Sequence, residues 1–209
     1  DTKGYVPLVQ ETDIHYTSNA EMRSERRLGI DPAGEGKDLT TWVLRDQFKA
    51  KIVAEEKVSD ERGIAAKTLT LMDYFDVPDH EVTIDNFGVG ANVAKHLALA
   101  GKNVNSVNVG DDANEKGNYI NIRAEAFWRM RTWLRSGGEL VTDTRWAELT
   151  VIRYCRELSN RLKIMGKKDM RKAGIASPNF ADALMLTFVK GQEIHAFDET
   201  PHVFDPPTY

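Results

Sequence analysis

The sequence predicts a single mixed-sheet α/β domain. Three β-rich runs with short connections form an antiparallel meander, and helices and strands alternate after it. A chain of 209 residues can bury a substantial core as one domain and is short for two.

Residues 1–25 show no sustained period and read as a linker or arm. The meander follows: "RRLGID" is a short strand, a Gly/Pro turn comes next, and "TTWVLRD" and "KAKIVAEEKV" complete it. "ERGIAAKTLTLMDYF" carries Ile64, Ala65, Leu69, Met72 and Phe75 at helical spacing. "EVTID" reads as a buried strand, "GVGANVAKHLALAG" as a helix closed by Gly101, and "NVNSVNV" as another strand. After the loop "GDDANEKGNY" comes the amphipathic helix "INIRAEAFWRMRTWLRSGG", ended by its glycines. "WAELTVIRYCREL" reads as a helix, "RLKIM" as a strand and "GKKDMRKAGIASPN" as a basic loop. Ser177 and Pro178 then suit the N-cap and first position of a last helix, "NFADALMLTFVK". The polar, proline-containing tail from residue 191 reads as loosely held.

Composition excludes several classes. The net charge of −4 announces no overall basic field, although a carboxylate-rich site lowers the sum while a basic stripe still binds phosphate. The single Cys155 forbids an internal disulfide and suits a reducing compartment. No apolar run approaches a membrane span and no signal peptide opens the chain. The first residue is Asp rather than Met, which reads as a piece of a longer polypeptide. None of the five histidines pairs with another at metal-ligand spacing, which disfavours zinc.

The stretch "LGIDPAGEGKDLT", residues 28–40, poses the central question: phosphate loop, or an acid with a turn behind it? A phosphate loop needs Gly-Lys-Ser/Thr leading into a helix. Here Lys37 is followed by Asp38, whose carboxylate repels phosphate, and the chain continues as strand. "DNFGVGANV" likewise misses the dinucleotide fingerprint, with Val93 in place of its third glycine. The acid is what remains. Asp31 and Asp85 each end a strand, and Asp182 sits among Phe180, Ala181, Ala183 and Leu184 on the last helix. Asp is a poor former of both elements, so these placements need a reason. Carboxylates converging from separate elements repel unless cations lie between them, and two hard divalent ions so held can clamp a phosphodiester. Each Asp taken alone also fits an ordinary turn or cap.

Lys167, Lys168, Arg171 and Lys172 form a basic loop leading to Asp182, placed to position phosphates without reading sequence. Arg123, Arg129, Arg131 and Arg135 interleave with Phe127, Trp128 and Trp133, the pattern of any amphipathic helix, and read as an outer solvated face.

The ordered set "GIDPAGEGKDLTTWVL", "VTIDNFGVGANV", "KGNYINIRAEAFWRMRTWL" and "SPNFADALMLTF" resembles the C-terminal nuclease domain of the large terminase subunit of tailed bacteriophages, in particular headful-packaging, short-tailed phages. The resemblance covers roughly residues 26–190 and implies a ribonuclease H-like fold, with a central mixed sheet and acids at strand ends. Carried over, it makes Asp31, Asp85 and Asp182 the catalytic, metal-holding acids, with Asp38 as an auxiliary ligand. Phe87 and Asn92 depart from the small residues frequent in relatives. The implied activity is metal-dependent endonucleolytic cleavage of double-stranded DNA in genome packaging, by two-metal-ion hydrolysis with Mg2+ or Mn2+. The implied partners are DNA, the portal protein, the small terminase subunit and an ATPase domain of the same polypeptide, in the host cytoplasm with no membrane. Residues 1–25 would then be the arm from that motor, 26–190 the nuclease domain and 191–209 a C-terminal tail. A junction-resolvase-type nuclease and a catalytically idle docking module for portal or small subunit stand as alternatives.

Overall fold

The structure, a computed structural model, describes residues 4–34, 39–57 and 60–189. Asp38 and the 191–209 tail lie outside the described residues. In chain order the strands are β1 (Val6–Pro7), β2 (His15–Thr17), β3 (Arg27–Asp31), β4 (Thr40–Arg45), β5 (Lys49–Glu56), β6 (Val82–Asp85), β7 (Asn105–Val107), β8 (Glu139–Val141), β9 (Arg153–Arg156) and β10 (Leu162–Ile164). The helices are α1 (Glu61–Phe75), α2 (Val89–Leu99), α3 (Ile122–Arg135), α4 (Lys167–Lys172) and α5 (Asn179–Leu186).

A seven-stranded sheet runs in the order β2-β8-β5-β4-β3-β6-β7. Its middle is the expected antiparallel meander β3-β4-β5, and β6 and β7 join it in parallel with β3. All six residues of β4 are buried, as a central strand covered on both faces requires. On one face α1 and α2 close over Leu28, Ile30, Trp42, Leu44 and Ile84. On the other, α3 and α5 pack Phe127, Met130 and Leu184 against Val43. The buried Trp42 indole N–H donates to Thr68 Oγ1 at 3.0 Å, so the core leaves it satisfied. Asp60 caps α1 by accepting from the Gly63 N–H, and Asn121 caps α3 by accepting from the Ala124 N–H.

Three segments differ from expectation. The opening residues belong to the packed domain: β1 pairs with β9, β2 pairs with β8, and Leu8 and Val9 are 1% exposed. A two-residue strand has no period to read, which hid it in the sequence. The helix expected over "WAELTVIRYCREL" is a 3-10 stretch, Thr144–Val151, followed by β9. Trp146 and Leu149, three apart, share the buried side of the tighter turn, and pairing with β1 and β10 then extends the chain. The basic loop at 167–172 is the short helix α4, fastened by Met170 at 1% exposure.

The approach of α5 to the sheet is limited by Gly29. A Cβ at that position would run into the carbonyl oxygen of Ala183, so only glycine lets α5 lie directly on β3. Replacing Gly29 by Ala should lower stability by about 1–3 kcal/mol, the usual cost of overpacking, measured by denaturant unfolding.

Candidate functional site

Ile30 of β3 lies opposite Ile84 of the parallel strand β6. Each strand ends one residue later, so Asp31 and Asp85 stand side by side at the carboxyl end of the sheet. The Asp85 carboxylate accepts the N–H of Phe87 at 3.1 Å, which holds the turn leading to α2. Gly90 lets that helix begin close behind the acid, because a Cβ there would meet the Asp85 carbonyl oxygen. Asp182 reaches the same place from α5, seated over Gly29, and is 3% exposed.

Two cations hold these acids. Lys167 Nζ, from the start of α4, lies 3.0 Å from Asp182 Oδ2 and 3.8 Å from Asp31 Oδ2. Arg123 donates from one guanidinium nitrogen to Asp182 Oδ1 at 3.1 Å and from another to the Met165 carbonyl oxygen at 3.1 Å. Its plane lies over the Phe127 ring, 4.8 Å from the centroid.

The charges respond to one another. Burial pushes the Asp31 carboxyl up to about 7, opposed by Lys167 and reinforced by Asp182 and Asp85. Burial also raises Asp85, against the Phe87 N–H and Lys167. Burial acts on Asp182 in the same sense, but Arg123 and Lys167 outweigh it and hold that carboxyl below its ordinary value. Lys167 is held above its ordinary value, because Asp182 and Asp31 outweigh its burial.

The donor set fits a hard divalent cation. It consists of carboxylates from three elements, without thiolate or imidazole. Asp182 Oδ2 is buried, and its close polar neighbour is the Lys167 ammonium at 3.0 Å. Among the described residues no three acid, His or Cys side chains stand close enough as placed to hold a metal ion; the Lys167 ammonium lies between Asp182 and Asp31. The Lys167 side chain is 44% exposed.

The structure thus brings Asp31, Asp85 and Asp182 together with Lys167, while Lys168, Arg171 and Lys172 project from α4 into solvent. Lys172 is 3.6 Å from Asp169. Arg123 corrects the solvated-face reading of its helix: it turns inward to the acids. One signal was present in the sequence. A cation in the first turn of a helix opposes the helix dipole, so it needs an acidic partner elsewhere.

No family model and no curated protein matches the chain. Solved structures do. The nuclease domain of the large terminase subunit of bacterial virus Sf6 matches with a TM-score of 0.69 at 22% identity, covering 82% of this chain and 91% of that one. The large terminase nuclease from thermophilic phage G20c matches with a TM-score of 0.58 at 17% identity, covering 85% and 94%. The fold is that of a large-terminase nuclease domain. It is ribonuclease H-like, a mixed sheet flanked by helices. Terminase nuclease domains of this fold have been solved with manganese, for Sf6, and with magnesium, for G20c.

Because Asp31 titrates higher in the folded chain than its ordinary 3.8, its ionised form opposes folding when no metal is present. That penalty is complete above about pH 7 and fades as pH falls toward 4. Asp31→Asn should therefore stabilise the metal-free protein at pH 8 by at least about 1 kcal/mol, with the gain shrinking on acidification. Thermal melts across that pH range in a chelator measure it.

Proposed function

We propose that this chain is a divalent-metal-dependent endodeoxyribonuclease that cuts double-stranded viral DNA during genome packaging, after the head has filled. The observation that carries the proposal is the meeting of Asp31, Asp85 and Asp182 at the carboxyl end of the sheet, each carboxylate near enough to raise the charge cost of another. The terminase-nuclease fold and the metals bound by proteins that share it support the same reading.

Asp31, Asp85 and Asp182 would hold one or two Mg2+ or Mn2+ ions, with Asp38 as an auxiliary ligand. Bound there, the ions would supply Lewis-acid activation of water and charge stabilisation for in-line phosphodiester hydrolysis. The chain's own part is to present the acids without reorganisation. Backbone pairing of β3 with β6 sets Asp31 against Asp85, and Arg123 orients Asp182 through Oδ1. Lys167 neutralises the acids while no ion is present and offers its charge to DNA phosphate when it leaves them. Lys168, Arg171 and Lys172 give a basic surface beside the acids that grips the backbone of any sequence. That indifference suits cutting at a filled head rather than at a fixed site. The portal protein, small terminase subunit and an ATPase domain of the same polypeptide are the proposed partners.

Plasmid nicking tests the proposal. Cleavage should require Mg2+ or Mn2+ and fall by at least about a hundredfold in Asp85→Asn and Asp182→Asn. Retained cleavage by either variant would exclude these acids.

Neutralising Lys168, Arg171 and Lys172 together should weaken DNA binding on every sequence. It should also flatten the slope of log affinity against log salt by about one per lost phosphate contact. Fluorescence anisotropy over a salt series checks both, and an unchanged slope would return α4 to solvated surface.

A further inference from the structure

Outside the cluster of acids, one carboxylate acts on the helix that carries Asp182. Glu148, in the 3-10 stretch Thr144–Val151, accepts the N–H of Phe180 at 2.7 Å and the N–H of Ala181 at 3.3 Å from a single oxygen, Oε2. These amides belong to the first turn of α5 and have no partner within the helix. No residue of the local sequence supplies the cap: the N-cap position is Pro178, whose side chain has no acceptor. The acceptor comes from more than thirty residues away, as the separations of 32 and 33 show.

The segment that bears Glu148 is itself anchored. Trp146 and Leu149 are fully buried, and the Trp146 indole donates to the Val141 carbonyl oxygen at 3.0 Å. Arg145 bridges Glu55 at 2.7 Å and Asp143 at 2.6 Å and lies 5.0 Å from the centroid of the Phe180 ring. The first turn of α5 is therefore gripped through two amides and one ring, immediately before Asp182.

We infer that Glu148 is a positioning residue: it fixes the first turn of α5 so that the Asp182 carboxylate faces Asp31 and Asp85 at the carboxyl end of the sheet. The inference rests on the metal-centre reading above and adds a residue that acts through the backbone rather than as a ligand. Burial pushes the Glu148 carboxyl up to about 7, against the two amides that lower it. The two amides ask for an acceptor oxygen where Oε2 stands, and the side-chain amide of Gln offers one too. Partners bonded directly to a metal ligand commonly contribute about ten- to a hundredfold in metal affinity; Glu148 acts one step further out, so the lower end of that range applies.

The test is Mn2+ binding to the whole chain without DNA, followed by electron paramagnetic resonance, with thermal melts of each variant. Glu148→Gln keeps an oxygen acceptor and should bind Mn2+ within about twofold of wild type. Glu148→Ala should bind at least about tenfold more weakly while folded at the assay temperature. Should the Ala variant not fold, Glu148→Asp serves, its shorter side chain retracting the acceptor and weakening Mn2+ in the same sense. Equal binding by wild type and the folded Ala or Asp variant would overturn this inference alone. Loss in Glu148→Gln as large as in Glu148→Ala would also overturn it, by assigning the effect to charge. A wild type that takes up no Mn2+ would overturn the metal-centre reading itself.

Discussion

The site depends on an eight-residue helix lying flat on a strand. Two backbones approach so closely at Gly29 and Ala183 that no side chain fits between them. Everything else around α5 serves to keep it there. At its carboxyl end Arg45, 2% exposed, donates to Thr187 Oγ1 and to the Thr187 carbonyl oxygen, each at 2.8 Å, and stacks on the Phe188 ring. A cation at that end complements the helix dipole, and at the amino end Glu148 accepts two amides that the helix leaves free. Burying an arginine is costly unless its donors are satisfied; here the third nitrogen also bonds, to the Asp46 carbonyl oxygen at 3.0 Å. A helix so held carries Asp182 to within reach of two strand ends.

The convergence creates an electrostatic problem whose solution is the chemistry of the site. Three carboxylates with little water between them favour protonation or cations. Arg123, anchored to the Met165 carbonyl oxygen and the Phe127 ring, is a fixed counter-charge for Asp182. Lys167 is the less enclosed one: its side chain is nearly half exposed and its ammonium spans Asp182 and Asp31. In the proposed metal centre the fixed guanidinium would orient the acid, and the ammonium would have to yield its place to a divalent ion. On that proposal metal affinity would report a competition within the protein, the lysine and the ion sharing the same oxygens.

Much of the arrangement was legible in the sequence wherever the signal was local. Asp31 and Asp85 follow strand runs directly, and Asp182 stands out as an acid inside an apolar helix. The meander and α1, α2 and α3 follow from hydrophobic period and caps. Less legible was what depends on distant partners. Arg123 looks like surface until α5 arrives, 59 residues on. Glu148 sits in a segment whose helical period resolves into a 3-10 turn and a strand, because β9 has partners on both sides. Val6, Pro7, Leu8 and Val9 are too few to show a period, yet they add a strand and two buried side chains. α4 is a single turn and a half whose helicity comes from burying Met170, which is a tertiary cause.

The central claim is that Asp31, Asp85 and Asp182 form one cation site that Lys167 occupies in the absence of metal. A crystal soaked in manganese and recorded at the manganese absorption edge tests it most directly. The account predicts anomalous density among these three acids, with carboxylate oxygens at about 2.1–2.3 Å, as hard-ion coordination requires, and with Lys167 Nζ displaced outward. Manganese bound elsewhere, or Lys167 still bridging Asp31 and Asp182 at saturating manganese, would contradict it.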